Sequence, residues 1–254
     1  MTDPLLLECD GTVWRVTLNR PLQGNSCSTD LVAALDDTLV RATQERAQAL
    51  VLRGAGKHFC TGFDLSAVAQ ETDDTLLARF VRIELMLQRL ARAPFLTVAI
   101  AHGRATGAGA DIFTACAMRL VQGEASLAFP GARGFGLVLG TRRLCELVGR
   151  QTALSWIESA TVVTAAEATR TGLATGAMGA DTALDQLISE RTSIDATLRE
   201  ALQRAAQPHR DFEDALDLKR LVESAARPGL RDRIASYIES IAHKPSLPLS
   251  NPPA

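Results

Sequence analysis

The stretch "HGRATGAGADIFTACAMRL", residues 102–120, decides how this chain is read. Three small residues, Gly107-Ala108-Gly109, stand just before an acid, Asp111, and the apolar run that follows has helical spacing. Upstream, "FLTVAIAHG" is an apolar run of strand length that Pro94 punctuates at its entry. A buried strand that runs into glycine-rich backbone and then a helix leaves the first N–H groups of that helix unpartnered, where they favour negative charge. The same design precedes it: "AQALVLRGAG" reads as a buried strand, and Thr61-Gly62-Phe63 follows within "KHFCTGFDLSAV". Two such sites converging on one point would form an oxyanion hole for an enolate or a tetrahedral oxyanion. Glycines there let a substrate carbonyl come close to the backbone.

Working outward, "LLLECDGTVWRVTLNRP" predicts two strands around the turn Asp10-Gly11, ended by Pro21. Ser28 or Thr29 caps a helix whose apolar face holds Leu31, Leu35 and Leu39. A second amphipathic helix spans about Thr75–Arg92; its Phe80, Ile83, Leu87 and Leu90 line either core or an acyl pocket. Residues 112–122 continue as helix and then strand, 123–144 read as loop-rich, and 144–159 as helical. Thr164 caps a further helix with Glu167 completing a capping box, and Gly172 stops it. From Thr182 to about Ala242 helix formers dominate, and the Pro-rich tail 244–254 reads as frayed or draped over a neighbour. The pattern is α/β followed by α with no obvious linker: a catalytic core over 1–180 and a helical segment with its tail over 181–254.

Composition narrows the function. The 254 residues carry a formal charge of −2 and no long basic run, which argues against nucleic acid as partner. Lysine is confined to Lys57, Lys219 and Lys244, so the cations are almost all arginine, which suits bidentate phosphate contacts. Five scattered cysteines (Cys9, Cys27, Cys60, Cys116 and Cys145) form no C-x-x-C pair, and the histidines are too few to complete a metal set. Reduced thiols, no metal and a soluble, cytoplasmic protein are expected; no apolar run approaches the ~18 residues of a membrane helix.

Five blocks, "LNRPLQGNS", "HFCTGFDLSAV", "HGRATGAGADI", "LGTRRLCELVG" and "VTAAEATRTGLA", resemble in order the signature blocks of the crotonase superfamily, the enoyl-CoA hydratase/isomerase family. Together they reach across the whole expected core. The resemblance implies a spiral of ββα turns with a helical C-terminal oligomerisation segment, and a homotrimer or dimer of trimers. It also implies an acyl-CoA thioester as substrate, with coenzyme A entering only as part of it and no other cofactor. Motif by motif, the thioester oxygen falls to the N–H groups of Phe63 and Ala108, flanked by Gly62, Gly107 and Gly109, and the first catalytic carboxylate falls on Asp111. The chain departs from the hydratase pattern in two ways. Asp111 stands where hydratases carry Glu, one methylene longer. The second hydratase Glu has no counterpart: the loop is shorter and Gly131 stands in its place. Hydration uses two carboxylates, one to activate water and one to deliver a proton.

Isomerisation or another enolate reaction, with Asp111 as proton shuttle, is therefore the expected chemistry. A C–C bond hydrolase or decarboxylase on an enolisable carbonyl compound is the alternative, and a catalytically silent CoA-binding subunit the alternative outside enzymes. Glu124, His58 and Arg133 are the candidates to replace the missing acid, Arg133 also by pairing with a substrate carboxylate. Arg20 and Arg53 are candidate phosphate neighbours. Asp64 suits a helix N-terminus, and His102 flanks the second turn without a role of its own.

Overall fold

The computed structural model describes residues 3–242 apart from 180, 195 and 208. The Pro-rich tail from Lys244 onward lies outside them. β1 (Leu5–Asp10) and β2 (Val13–Leu18) form the expected hairpin, with Gly11 in the left-handed turn at φ 56°. β2, β3 (Ala49–Gly54), β4 (Leu96–Thr106) and β5 (Met118–Ala128) pair in parallel, and β6 (Val163–Thr164) and β7 (Gly176–Ala177) both pair with β5, giving the order β1-β2-β3-β4-β5-β6 with β7 off this path. Such a sheet needs cover on both faces, and the period of two supplies it. Leu50 and Leu52 of β3 join the main core beneath α1 (Thr29–Gln44) and α2 (Asp73–Ala91), while Ala49 and Val51 face a second cluster closed by Leu184 and Ile188 of α8 (Asp181–Arg191). Ser28 caps α1 as read, accepting from Leu31 N–H at 3.2 Å.

Part of the stretch read as loop is regular. β5 runs on to Ala128, because its partner β4 bulges at Gly103 (φ 55°) and β5 turns at Gly123 (φ 59°); the pairing resumes as Arg104↔Ser126. A glycine inside a strand marks a bend there, not its end. Gly131–Phe135 forms a short helix, α4. The helical stretch 144–159 is two helices, α5 (Thr141–Val148) and α6 (Arg150–Ser159), broken at Gly149. After β6 (Val163–Thr164), α7 (Ala165–Arg170) starts with half of its expected capping box. Thr164 Oγ1 accepts from Glu167 N–H, but the Glu167 carboxylate pairs with Arg170.

Beyond β7 (Gly176–Ala177) the chain is helical as read: α8, α9 (Ala196–Ala206), α10 (Arg210–Ala225) and α11 (Leu230–Ala242). Much of this segment packs on its own chain. Leu221, Ala225, Leu230 and Ile234 are fully buried in the main core, and the Asp73 carboxylate accepts from the N–H groups of Gly229, Leu230 and Arg231. Leu202 and Phe212 stay 54% and 67% exposed. No helix among the described residues is long and apolar enough to cross a membrane.

Candidate active site

The two strand–glycine–helix turns meet. Segment 59–60 runs beside the end of β4, with Phe59 N–H donating to His102 O, Cys60 N–H to Arg104 O and Thr106 N–H to Cys60 O. The approach is too close for side chains. A Cβ on Gly62 would lie 2.5 Å from Thr106 O, and one on Gly109 would lie 2.2 Å from Cys60 O. These glycines make room for the chain itself rather than for a substrate; only Gly62 and Gly107 of the three border the cleft. Gly107 has open space at its Cβ but a φ of 54°, which favours glycine.

At this crossing opens a cleft of about 570 Å³, mostly apolar. Phe63 and Ala108 both border it. Ala108 is the first residue of α3 (Ala108–Ala115), so its N–H has no acceptor inside the helix, and Phe63 N–H donates to nothing among the described residues. The Phe63 ring stacks on Phe80 at 4.3 Å, with the Arg79 guanidinium 4.1 Å from its centre on another side. Arg79 pairs with Glu71 and donates to Asp64 O at 3.1 Å, so it ties down the backbone next to Phe63.

Asp111 lies one turn into α3, 4% exposed, with its carboxylate on the same cleft and no hydrogen bond to its oxygens among the described residues. Burial pushes its pKa up to about 8, against an opposing pull from Arg143 and with a smaller push from Glu84. With that value it is mostly a neutral carboxylic acid at neutral pH, on the cleft that Phe63 and Ala108 also border. The cleft walls include Leu137, Leu139, Ile157, and Tyr237 and Ile241 of α11.

The other candidates separate. Gly131 borders the cleft at the start of α4, where a Cβ would find its nearest neighbour, Leu137 O, 3.9 Å away. Glu124 is exposed on β5 and away from the cleft. Arg133 faces outward, donating to Glu158 O at 3.1 Å. Arg20 is engaged with Asp64 (2.8 Å) and Ser26 O, outside the cleft lining. Asp64 is structural: burial alone would raise its pKa, but hydrogen bonds from Ser66 and Arg20 carry it below the usual value. His58 borders the cleft; its Nδ1 accepts from Arg104 N–H at 3.2 Å, and burial with nearby Arg104 lowers its pKa. His102 bonds Gly56 O instead. The cation that does border the cleft is Arg104, which has no acid within 4 Å among the described residues. No cluster of metal-ligating side chains occurs among the described residues. Cys27 and Cys60 lie behind Phe63 with their sulfurs 3.7 Å apart, both buried thiols.

The family model for enoyl-CoA hydratase/isomerase matches residues 8–234. The chain belongs to this family, within the crotonase superfamily. A Bordetella parapertussis structure described as an enoyl-CoA hydratase/isomerase superposes with a TM-score of 0.89 at 40% identity, covering 96% of this chain and 100% of that one. A Thermobifida fusca structure in complex with acetoacetyl-CoA superposes at 0.71 with 28% identity, covering 84% and 94%. Ethylmalonyl-CoA decarboxylase from Mus musculus is 31% identical over 66% of this chain and 53% of its own length. The chain thus spans about half the length of that relative. Against this family background, Arg79, Arg104, Tyr237 and Gly140 are what sequence reasoning missed: Arg79 and Tyr237 reach the site from distant segments with no local motif, while Arg104 and Gly140 stand inside the blocks "HGRATGAGADI" and "LGTRRLCELVG", whose spacing does not show that one borders the cleft and the other meets Asp111.

Proposed function

We propose that this enoyl-CoA hydratase/isomerase family protein carries out enolate chemistry on an acyl-CoA thioester, with Asp111 as its single proton-moving acid. The observation that carries the reading is that Asp111, buried and with no hydrogen bond to its carboxyl among the described residues, borders the same cleft as Phe63 and Ala108. Those donors would hold the thioester oxygen as negative charge grows on it, which acidifies the α-carbon. Asp111 in its ionised form would take the α-proton and return it further along the chain, shifting a double bond. One acid suffices for that exchange, and it needs no cofactor beyond the coenzyme A of the substrate. Hydration needs a second proton-transfer group, and Gly131 offers none. The exposed Leu202 and Phe212 support assembly into a homotrimer or dimer of trimers, and light scattering tests it: a monomer at micromolar concentration would rule this out.

A second reading follows from Asp111 being mostly protonated at neutral pH. With a malonyl-type thioester, the bond to the free carboxylate breaks, CO2 leaves, and its electron pair passes into the enolate held by the two N–H groups. Asp111 then gives its proton to the α-carbon and is reprotonated from water. Arg104 is the cleft cation that suits such a carboxylate, and a second acid at position 131 would repel it.

The test is exchange of the α-proton in heavy water, followed by mass spectrometry over a panel of acyl-CoA thioesters. Asp111→Asn should bind thioesters as wild type does and lose about 10²–10⁴-fold in exchange and turnover. Wild-type exchange in that variant would refute the assignment and turn attention to His58. Thioester binding without exchange or turnover in the wild type would indicate the silent CoA-binding subunit.

A further inference from the structure

Behind Asp111, away from the cleft, lies a charge pair that the proposed chemistry does not use directly. Glu84 of α2 is 1% exposed and Arg143 of α5 is 6% exposed. Arg143 Nη1 donates to Glu84 Oε1 at 3.0 Å and Nη2 to Oε2 at 2.7 Å, and Gln88 Nε2 donates to Oε1 at 2.9 Å. This fork occupies both terminal nitrogens of the guanidinium. Its third nitrogen, Nε, is buried and has no partner among the described residues. Arg143 stands three residues after Gly140, against which Asp111 Oδ1 packs, and both members of the pair act on the Asp111 carboxyl.

A buried acid that ionises needs a compensating charge nearby, or the ionised form is never populated. Arg143 supplies one, and the fork to Glu84 leaves its buried Nε–H without a partner among the described residues. Glu84 has the opposite influence, since it cancels much of that positive charge while holding the guanidinium still. We infer that the Glu84–Arg143 pair tunes the proton affinity that burial gives Asp111, with Arg143 as the positioning cation for its ionised form and Glu84 as the counterweight that limits the pull of that cation. The inference rests on the reading of Asp111 as the proton-moving acid, and it explains how one acid can serve in both states. Other charges do not compete. Asp217 of α10 acts on Arg143 but is held by Arg142 at 2.7 Å, and the Cys27 thiol near Asp111 is kept neutral by its contact with Cys60 and by burial.

The test reads Asp111 itself, by a carbon-13 NMR titration of its side-chain carboxyl with Asp111→Asn as the assignment control. In the full-length protein, Glu84→Gln should lower the titration midpoint by a pH unit or more, roughly a tenfold change in ionised fraction at fixed pH. Arg143→Gln should raise it by a similar amount, and the double variant should fall between the two. The acidic or basic limb of α-proton exchange should move with each midpoint. Circular dichroism checks folding; where Arg143→Gln does not fold, Arg143→Lys, which removes Nε and displaces the charge, should still raise the midpoint. Midpoints that stay put, or that move the same way in both single variants, would overturn the inference and leave the pair a packing element. Because the titration needs no turnover, that failure is distinct from failure of the catalytic reading, which shows as undiminished exchange in Asp111→Asn.

Discussion

Asp111 and Gly140 are in direct contact: a Cβ built on Gly140 would stand 2.0 Å from Asp111 Oδ1. Gly140 caps α5 in the left-handed region, at φ 66°, so the glycine serves both the turn and the acid. The carboxyl of α3 is held between its own helix and the N-cap of another.

That contact makes Gly140→Ala a test of the site without touching its acid. The added methyl overlaps the carboxylate and the residue must hold a left-handed φ, a strain of about 1–2 kcal/mol. The protein should fold with a modestly lowered melting temperature, while α-proton exchange falls about 10²-fold as Asp111 is pushed aside. Asp111→Glu should fail for the same reason: the longer acid has Gly140 in its way. Exchange rates and thermal melts on both variants check this, and wild-type exchange in Gly140→Ala would show that the contact does not position the acid.

The raised pKa of Asp111 makes stability depend on pH in a stated direction. Its ordinary value is 3.8 and its value in the fold is about 8, so between these the folded state holds a proton that the unfolded chain has released. Its favourable contribution is complete below pH ~4 and is lost as pH rises through about 8. Asp111→Asn carries no such proton. The melting temperature of Asp111→Asn relative to wild type should therefore climb steadily from pH 5 to pH 8.5 and level off above. A difference that is flat across this range would mean that the acid is not buried as described.

The same value separates the two readings of the chemistry. Where Asp111 works as a base, activity rises with pH through about 8 and then levels. Where it works as the acid that protonates an enolate after loss of CO2, activity is level at low pH and falls through about 8. Rate profiles on an enoyl-CoA isomerisation substrate and on a malonyl-type thioester decide between them.

The parts of this site that are legible in the sequence are those carried by local signals. The strand–glycine–helix spacing around Phe63 and Ala108, the acid one turn into α3, and the Ser28 and Thr164 caps depend on neighbours in the chain, and the structure has them there. The remainder depends on distant segments. Gly62 and Gly109 look like substrate space from sequence, yet it is Thr106 and Cys60 that fill it. Arg133 in the shortened loop reads as facing either solvent or the cleft; α4 turns it outward, and β4 brings Arg104 to the cleft. Nothing near Arg79 in the chain hints that it lies over Phe63; only the packing of α2 against the segment after β3 brings the two together. Gly123 and Glu124 read as loop because a glycine beside an acid breaks strand propensity, whereas they lie in the irregularity between the pairs His102↔Gln122 and Arg104↔Ser126, which carry the strand on past them.

Arg79 gives a prediction about how firmly the first N–H donor is held. Its guanidinium covers the Phe63 ring and donates to Asp64 O. Arg79→Met keeps most of the stem and removes the charge and the donors. Losing the cation–π contact, the charged hydrogen bond to Asp64 O and the ion pair with Glu71 costs more than about 2 kcal/mol at this partly buried site. Turnover should drop about tenfold, with thioester binding changed much less, because the donor matters most when charge sits on the oxygen. A variant that loses binding and turnover equally would place Arg79 in general stability rather than in holding Phe63.

Gly131→Glu asks whether a missing acid is all that separates this site from hydration. Position 131 has open space at its Cβ, an ordinary backbone conformation, and a place in the first turn of α4, where an acid is favoured. The variant should fold with stability within about 0.5 kcal/mol of wild type. The new carboxylate would then face the cleft that Asp111 faces, and the like charge would raise the proton affinity of one of the pair, the usual arrangement for one acid and one base. Hydration of a 2-enoyl-CoA, followed as loss of the conjugated thioester absorbance, should appear at least about tenfold above the wild-type background, below what a well-positioned acid or base contributes. Turnover of a malonyl-type thioester should fall in the same variant, since its free carboxylate would meet a second negative charge. A folded Gly131→Glu protein that gains no hydration would show that the loop containing residue 131 no longer brings a side chain to the α,β-bond, and that more than one acid was lost with it.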